Sequence, residues 1–451
     1  MGDSVRRVIE RFGAAFAPGD AFMLNAPYDG GTHLPDVTVV TPVFESGSVE
    51  FFVASRAHHA DIGGLTPGSM PPESRTIDDE GVVIDAIRIV DRGRFLEDDV
   101  RRVLASARLP ARNPARNVAD LKAQLAANAR GAAELGKLVA HYGLDVVQRY
   151  MAHIERNAAE CVREVVAELE DGAWSLELDG GERIEVRIAV DRARREATID
   201  FTGTSPMSPR NFNTPPSIVR AVVLYVFRTL VRQSIPLNEG CLEPLSIRLP
   251  ERSLVSPEYP AAVVAGNVET SQCIADALLA AVGACAASQG TMNNFTFGND
   301  VHQYYETLCG GTGAGPTFDG ASAVHSHMTN SRLTDPEVLE WRHPVRLRRF
   351  EIRRGSGGAG THRGGDGIVR EIEFLEPMHA AILSNRRRTV PFGLADGSAG
   401  RPGRNAVIRR DGTVVELGPV AGVALEPGDR MLIETPGGGG YGPAKESSEV
   451  S

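Results

Sequence analysis

The residue types best suited to chemistry fall in two short clusters, Gly30-Gly-Thr-His33-Leu-Pro-Asp36 and His58-His59-Ala-Asp61-Ile-Gly-Gly64. Between them stand two β-branched or aromatic runs, 37–44 and 49–55, around Glu45-Ser-Gly-Ser48. That pattern predicts a β-hairpin. With the turn centred between Ser46 and Gly47, antiparallel partners sum to 93, so His33 faces position 60 and Asp36 faces position 57. A register slip of two leaves both clusters at the same open end. Three imidazoles and two carboxylates then converge on glycine-bordered loops, where backbone and ligand can approach closely. Histidine and aspartate together suit Zn, Mn or Fe, and no thiolate is near to force a closed structural site. An open site of two histidines and an aspartate holds a water and lowers its pKa, or polarises a carbonyl. The plainer alternative is that His33 caps a turn and His58-His59 are polar residues leaving a strand.

Other motifs carry less. His325-Ser-His327 is an H-x-H pair whose rings would share one face of a strand. With no convergent acid, positioning of substrate or packing suits it better than a metal. Gly355-Ser-Gly-Gly-Ala-Gly360 has G-x-G-x-x-G spacing, but Thr361-His-Arg-Gly-Gly follows, which is not a helix, so the dinucleotide fingerprint is rejected. Neither a Walker loop nor a G-x-S-x-G elbow occurs. Tyr304-Tyr-Glu-Thr307 with Gly310-Gly-Thr-Gly-Ala-Gly315 reads equally as site lining or turn chemistry, and Arg386-Arg-Arg388 as a solvated run or as one in which an arginine pairs a carboxylate.

The elements that must position these residues read as α+β, mixed β-rich parts with a helical insertion and no Rossmann or P-loop unit. Residues 1–96 form a hairpin region that carries the candidate site. Residues 97–172 are helical, with breaks at Pro110–Pro114 and Tyr142-Gly143 and with Asn117 or Asp120 as the cap of the first long helix. Residues 173–320 read as a meander followed by helices over 217–231 and 271–287. Residues 321–444 are Gly-rich strands, and 445–451 a polar tail. The length of 451 residues suits two or three domains. The 48 basic residues against 58 acidic ones give a net charge of −10, which excludes a partner nucleic acid bound through a broad basic face. Five cysteines without a C-x-x-C read as reduced thiols. No apolar run is long enough for a membrane span, and 1–13 has no secretory core, so a cytoplasmic chain is expected.

The chain resembles the hydantoinase B / oxoprolinase family. The resemblance rests on both clusters above, on Arg112-Asn-Pro114 and Asn238-Glu-Gly-Cys241, and on Gly266-Asn-Val-Glu-Thr-Ser-Gln272 and Tyr305-Glu-Thr307. It extends through Ala323-Val-His-Ser-His-Met-Thr-Asn330, Thr334-Asp-Pro-Glu337 and Gly355-Ser-Gly-Gly-Ala-Gly360 to Thr435-Pro-Gly-Gly-Gly-Gly-Tyr-Gly442. It implies the carbon-chemistry subunit of an ATP-dependent hydrolase that opens a cyclic amide (hydantoin, 5-oxoproline or lactam), with ketone carboxylase as sister chemistry. ATP and Mg would enter only through a hydantoinase A-type partner in a hetero-oligomer. The resemblance maps the metal ligands onto His33, His58 and Asp61, and the hairpin is consistent with that. His59 is then a neighbouring proton shuttle and Asp36 orients an imidazole. Two departures stand out. Asn25-Ala-Pro-Tyr28 has Ala26 where the family carries an aspartate. The family's longer N-terminal part, with its Asp-Phe-Ser strand, is not matched. That part is expected to be missing or on another chain, which leaves a non-catalytic assembly subunit as the alternative reading.

Overall fold

The structure, a computed structural model, describes residues 1–444; the tail expected over 445–451 lies outside them. A helix α1 (Gly2–Phe12) precedes β1 (Ala21–Leu24), β2 (Asp36–Glu45), β3 (Ser48–His58), β4 (Ile87–Asp91) and β5 (Arg94–Phe95), which pair antiparallel in the order β3-β2-β1-β4-β5. Val37, Val39, Met23 and Ile89 close a core on one face of this sheet, and the alternate residues Phe22, Leu24 and Val40 pack with Val8 of α1 on the other, so both faces are covered. The hairpin starts in the expected register, Glu45 opposite Ser48 and Phe44 opposite Val49, and then shifts by one residue. Val43 pairs with Phe51, so Glu50 is the extra residue of a β-bulge. Beyond it partners sum to 94, and Asp36 faces His58 instead of position 57.

The helical segment is α2 (Glu97–Leu104), α3 (Pro114–Tyr142) and α4 (Leu144–Glu168), broken where proline and Gly143 predict. The cap of α3 is Asn113, whose side chain accepts from the Arg116 amide, and not Asn117 or Asp120. Asn117 is buried inside the helix. Next come β6 (Gly172–Glu177), β7 (Arg183–Asp191), β8 (Glu196–Asp200), α5 (Pro216–Leu230), β9 (Leu245–Arg248) and α6 (Ser271–Ala281). α6 ends earlier than its alanine-rich run suggested and is entered through a π-helical turn, Gly266–Thr270. Every α6 residue from Ser271 to Ala280 is buried, which alanines permit by letting strands and α5 approach closely.

The remaining strands are β10 (Asn294–Gly298), β11 (Gln303–Glu306), then, after α7 (Pro336–Arg342), β12 (Val345–Arg353), β13 (Gly367–Phe374), β14 (Met378–Leu383), β15 (Arg404–Ile408), β16 (Val414–Leu417), β17 (Val420–Leu425) and β18 (Arg430–Glu434). They form two antiparallel sheets, β11-β10-β14-β17 and β12-β13-β18-β15-β16. The parallel pair β8·β9 is the single parallel pairing among the described strands, so the architecture is α+β with a helical insertion.

The Gly-rich motifs pack against one another. Gly437–Gly440 threads between 356–358, 364–365, 311–314 and 397–400 through backbone bonds such as Gly438 N–H to Gly365 O (2.9 Å), Gly358 N–H to Gly438 O (2.8 Å) and Ala314 N–H to Gly439 O (2.9 Å). A Cβ on Gly438 would strike the Thr312 carbonyl, and one on Gly364 the Gly438 carbonyl. Glycine is required here because backbone lies on backbone. The run 386–388 is not solvated either. Arg386 is buried, donating to Val390 O and facing Asp276 at 3.6 Å, while Arg387 bonds Asn405 and Asn293; Arg388 alone is exposed.

Candidate functional site

The site is assembled at the open end of the hairpin. Asn25 fastens the first cluster's loop, its amide donating to Leu34 O (2.8 Å) and Val82 O (2.9 Å) and its carbonyl accepting from Ile84 N–H. Gly30 turns with φ +88°, and Gly31 lies so close to the Asn25 carbonyl that a Cβ would clash. His33 is thereby buried, with Nδ1 3.2 Å from Asp36 Oδ2 and 2.9 Å from the Asn267 amide. Its Nε2 is buried and has no partner. The His58 ring is 5.2 Å from that of His33 and stacks on Tyr305 at 5.2 Å and 21°. Asn267 reaches the site from the π-helical turn, a wound-out segment of the kind that re-aims side chains.

Electrostatics follow from this packing. Burial alone would raise the Asp36 carboxyl, but the charge and hydrogen bond of His33, with His58 and Arg56 behind, outweigh it. The group is held well below the usual carboxylate range. The His58 ring is open to solvent in the chamber, yet the crowding of protein around it and the neighbouring His33 push it down to about 4, so its imidazole is neutral at pH 7 and offers a lone pair. Arg56 donates to Thr38 Oγ1 and Ser4 Oγ, both 2.8 Å, and stands beside Asp36 as its countercharge.

The other expected residues are placed differently. The Asp61 carboxylate is turned into its own loop, accepting from Gly63 N–H (2.9 Å), Gly68 N–H (3.2 Å), Arg112 N–H (3.0 Å) and Arg112 Nη1 (2.9 Å). Gly63, Gly64 and Gly68 all have positive φ, and the turn they make wraps amide groups around the carboxylate. The geometry therefore brings Asp36, and not Asp61, to the two histidines. Among the described residues no group of three or more His, Cys, Asp or Glu side chains stands in metal-holding array. His59 is buried with both ring nitrogens engaged, Nδ1 by the Asn117 amide (3.0 Å) and Nε2 by Gln124 Oε1 (3.2 Å). It fastens α3 to the hairpin. Gln124 and Asn128 continue that seam, donating to Val37 O and Val39 O, both at 3.0 Å. Asn117, Gln124 and Asn128 recur at helical spacing on one face, a polar signal set among the apolar Val118, Leu121 and Leu125.

His325-Ser-His327 is not on a strand. His327 takes φ +49°, and its Nε2 bonds the buried Asp276 at 2.9 Å. The segment after it, Met328 to Ser331, walls the site.

His33, Asp36, Arg56, His58 and Tyr305 open into a chamber of about 520 Å³. Its lining includes the apolar Ile218, Ala221, Val268 and Met292 and the polar Thr307, Asn330 and Ser331. Such a volume suits a small ring with a few polar groups. The donor chemistry fits a divalent metal in part. The orphaned His33 Nε2 and the neutral His58 are imidazole ligands, with Asp36 behind His33 as metal-binding histidines usually have.

The hydantoinase B/oxoprolinase family model matches residues 1–444. A relative named 5-oxoprolinase 1, from Arabidopsis thaliana, is 46% identical over 466 residues, covering 98% of this chain and 37% of its own length. The chain thus spans little more than a third of the first curated relatives it matches. The crystal structure of an ATP-dependent caprolactamase from Pseudomonas jessenii superposes with TM-score 0.86 at 26% identity, covering 98% of this chain and 80% of that one. A nucleotide-free acetone carboxylase shares the fold, with TM-score 0.86 at 17% identity over 98% of this chain and 68% of that one. Among the described residues no helix is long and apolar enough to cross a membrane.

Proposed function

The chain belongs to the hydantoinase B/oxoprolinase family, and from that premise we propose that it opens a cyclic amide hydrolytically, in a complex whose A-type partner supplies ATP. The observation that carries this reading is the His33–Asp36–His58 group, with one buried imidazole nitrogen left free, at the wall of a ring-sized chamber. The relatives named 5-oxoprolinase and the caprolactamase support the substrate class.

The chemistry explains why two subunits are needed. A planar amide is a poor electrophile. When the partner transfers the γ-phosphoryl group of ATP to the amide oxygen, ADP leaves and the carbon becomes open to water. A water's oxygen bonds that carbon, its protons pass through a base to the ring nitrogen as the C–N bond breaks, and the acyl phosphate that remains is hydrolysed by a second water to carboxylate and phosphate. This chain's part is to bind and orient. Asp36 accepts a hydrogen bond from His33 Nδ1–H, which leaves Nε2 free toward the chamber. The apolar wall of Ile218, Val268 and Met292 takes the methylenes of the ring and excludes bulk water. A divalent Zn, Mn or Fe held by His33 Nε2 and His58 would supply Lewis acidity toward the carbonyl or the attacking water. Arg56, besides balancing Asp36, is the one guanidinium among the described residues lining the chamber, and it favours a ring that carries a carboxylate, as 5-oxoproline does and a simple lactam does not.

The test is to co-express the chain with its A-type partner and measure ADP release against 5-oxoproline, hydantoins, lactams, and ketones with bicarbonate. The expected outcome is ADP release that requires 5-oxoproline, with glutamate formed in step. ADP release only with a ketone and bicarbonate would make the complex a carboxylase. A complex that turns over nothing would make the chain an assembly subunit.

A further inference from the structure

A second cavity, of about 670 Å³, lies against the first. His58 and Tyr305 line both. The stacked pair is therefore the boundary at which the inner chamber ends and the outer cavity begins. The two spaces differ in chemistry. The outer cavity is walled by α3 and by the β11 and α7 segments, and it carries Arg116, Arg342, His343 and Gln303 with one carboxylate, Asp120.

Neither the Arg116 nor the Arg342 guanidinium forms an ion pair or hydrogen bond with any described residue, Arg116 being bonded only through its backbone amide. Most other arginines here do: Arg101, Arg112 and Arg370 pair with Glu97, Asp61 and Glu306. Arg116 also sits in the first turn of α3, at the positive end of the helix dipole. His343 Nδ1 is buried and unpartnered, and burial, with His302 and Arg342 near, lowers its pKa. Tyr304 is held by its hydroxyl on Glu306 (2.9 Å), which the buried Arg370 grips through two bonds of 2.9 Å, so this wall is rigid. Two free guanidiniums and one unpartnered ring nitrogen against one carboxylate make a pocket that is short of anion.

We propose that the outer cavity is a phosphate subsite, in which Arg116 and Arg342 hold the phosphoryl group carried by the activated amide while its ring occupies the inner chamber. This rests on the ring-opening reading and deepens it. The phosphorylated amide oxygen and the amide carbon are joined by one bond pair. A substrate with its carbon at His58 and its methylenes toward Val268 and Met292 directs the phosphoryl group away from the apolar wall. The cavity on the other side of His58 is where the unpaired positive charge lies. No bond is made or broken by the arginines, which neutralise charge before and after the C–N bond breaks. The released phosphate leaves from the same pocket.

The test uses the full chain and inorganic phosphate as the probe, by calorimetry or ³¹P line broadening. The wild type is expected to bind phosphate saturably, more weakly as salt rises. The double variant R116Q/R342Q should lose about tenfold or more in affinity, the order expected for charged hydrogen bonds. D120N should tighten binding. Both arginines are solvent-exposed, so an unchanged melting temperature shows that the variant is folded. Phosphate affinity within about twofold of wild type in the double variant would overturn the subsite.

In the assembled complex, the double variant should lower kcat/KM for the cyclic amide while leaving KM for ATP unchanged. Relief of phosphate inhibition with amide kcat/KM unchanged would assign the pocket to free product phosphate and overturn the placement of the bound phosphoryl group. Because the titration needs no turnover, arginine-dependent phosphate binding in a complex inert to all amides would count against the ring-opening reading and not against the subsite.

Discussion

Asp36 and His58 are register partners across the β2–β3 hairpin, and they meet because Glu50 bulges out of β3 near the turn. Without that extra residue the turn-proximal register would continue, and Asp36 would face Ala57. A one-residue shift exchanges the two faces of a strand. The bulge thus decides which imidazole shares a face with the carboxylate that touches His33.

If His33 Nε2 and His58 hold the metal, H33A and H58A should each lose most of the divalent metal that co-purifies with the chain, read by elemental mass spectrometry, without loss of fold. H325A should keep it, because His325 lies outside the hairpin cluster. D36N should retain part of it and lower kcat about tenfold or more, the usual cost of removing a ligand's orienting partner.

Asp61 gives the opposite pattern. Its carboxylate accepts four hydrogen bonds from Gly63, Gly68 and Arg112. D61N should lower stability by about 2 kcal/mol, since an amide cannot satisfy the same donors. Metal content per folded chain should be unchanged. Metal loss on D61N with no fall in melting temperature would restore Asp61 as a ligand.

Glu80 is predicted to make stability depend on pH. It is fully buried, and Oε1 accepts from Val263 N–H, Val264 N–H and Ser74 Oγ, while Oε2 has no partner. Burial raises its pKa from 4.5 to about 8, so the folded state keeps a proton that the unfolded chain releases. The contribution is complete below pH 4.5 and is lost as pH rises through about 8. E80Q should remove this slope and be more stable than wild type near pH 8 by about 1–3 kcal/mol. Chemical denaturation at pH 5 and pH 8 measures it.

Tyr305 separates two effects. Its hydroxyl donates to Asn294 Oδ1 (2.8 Å), and its ring stacks on His58. Y305F keeps the stack and should change kcat/KM by less than about fivefold. Y305A removes the boundary between the two cavities and should cost about a hundredfold, within what misplacement of reacting groups entails.

The hairpin, the helical insertion and most strands were legible because period-two alternation, proline breaks and Gly turns are local signals. β2, β3 and α5 fall where the sequence places them. The bulge was not legible, since nothing in Glu45 to Phe51 distinguishes a regular turn from one followed by an extra residue. Nor was the fate of Asp61. Its spacing from His58 suits a shared ligand, and only the folded loop shows Arg112 and two amides claiming the carboxylate first. Asn267 and Tyr305 come from the π-helical turn and β11, more than two hundred positions away from His33 and His58. Their motifs were visible, but no spacing rule links segments so distant. His327 misled for a similar reason, as its positive φ answers to Asp276, which lies on α6.

The interlocked glycines set an order of events during synthesis. Each segment lining the slot for Gly437–Gly440 emerges from the ribosome before those four residues do. Their carbonyls and amides must wait, solvated and unpaired, until the strand that bonds them arrives. The hairpin with its two imidazoles can fold early on local contacts. The Gly-rich half can only hold an open cleft meanwhile, a window in which a nascent chain offers unpaired backbone to its neighbours and depends most on being shielded from them.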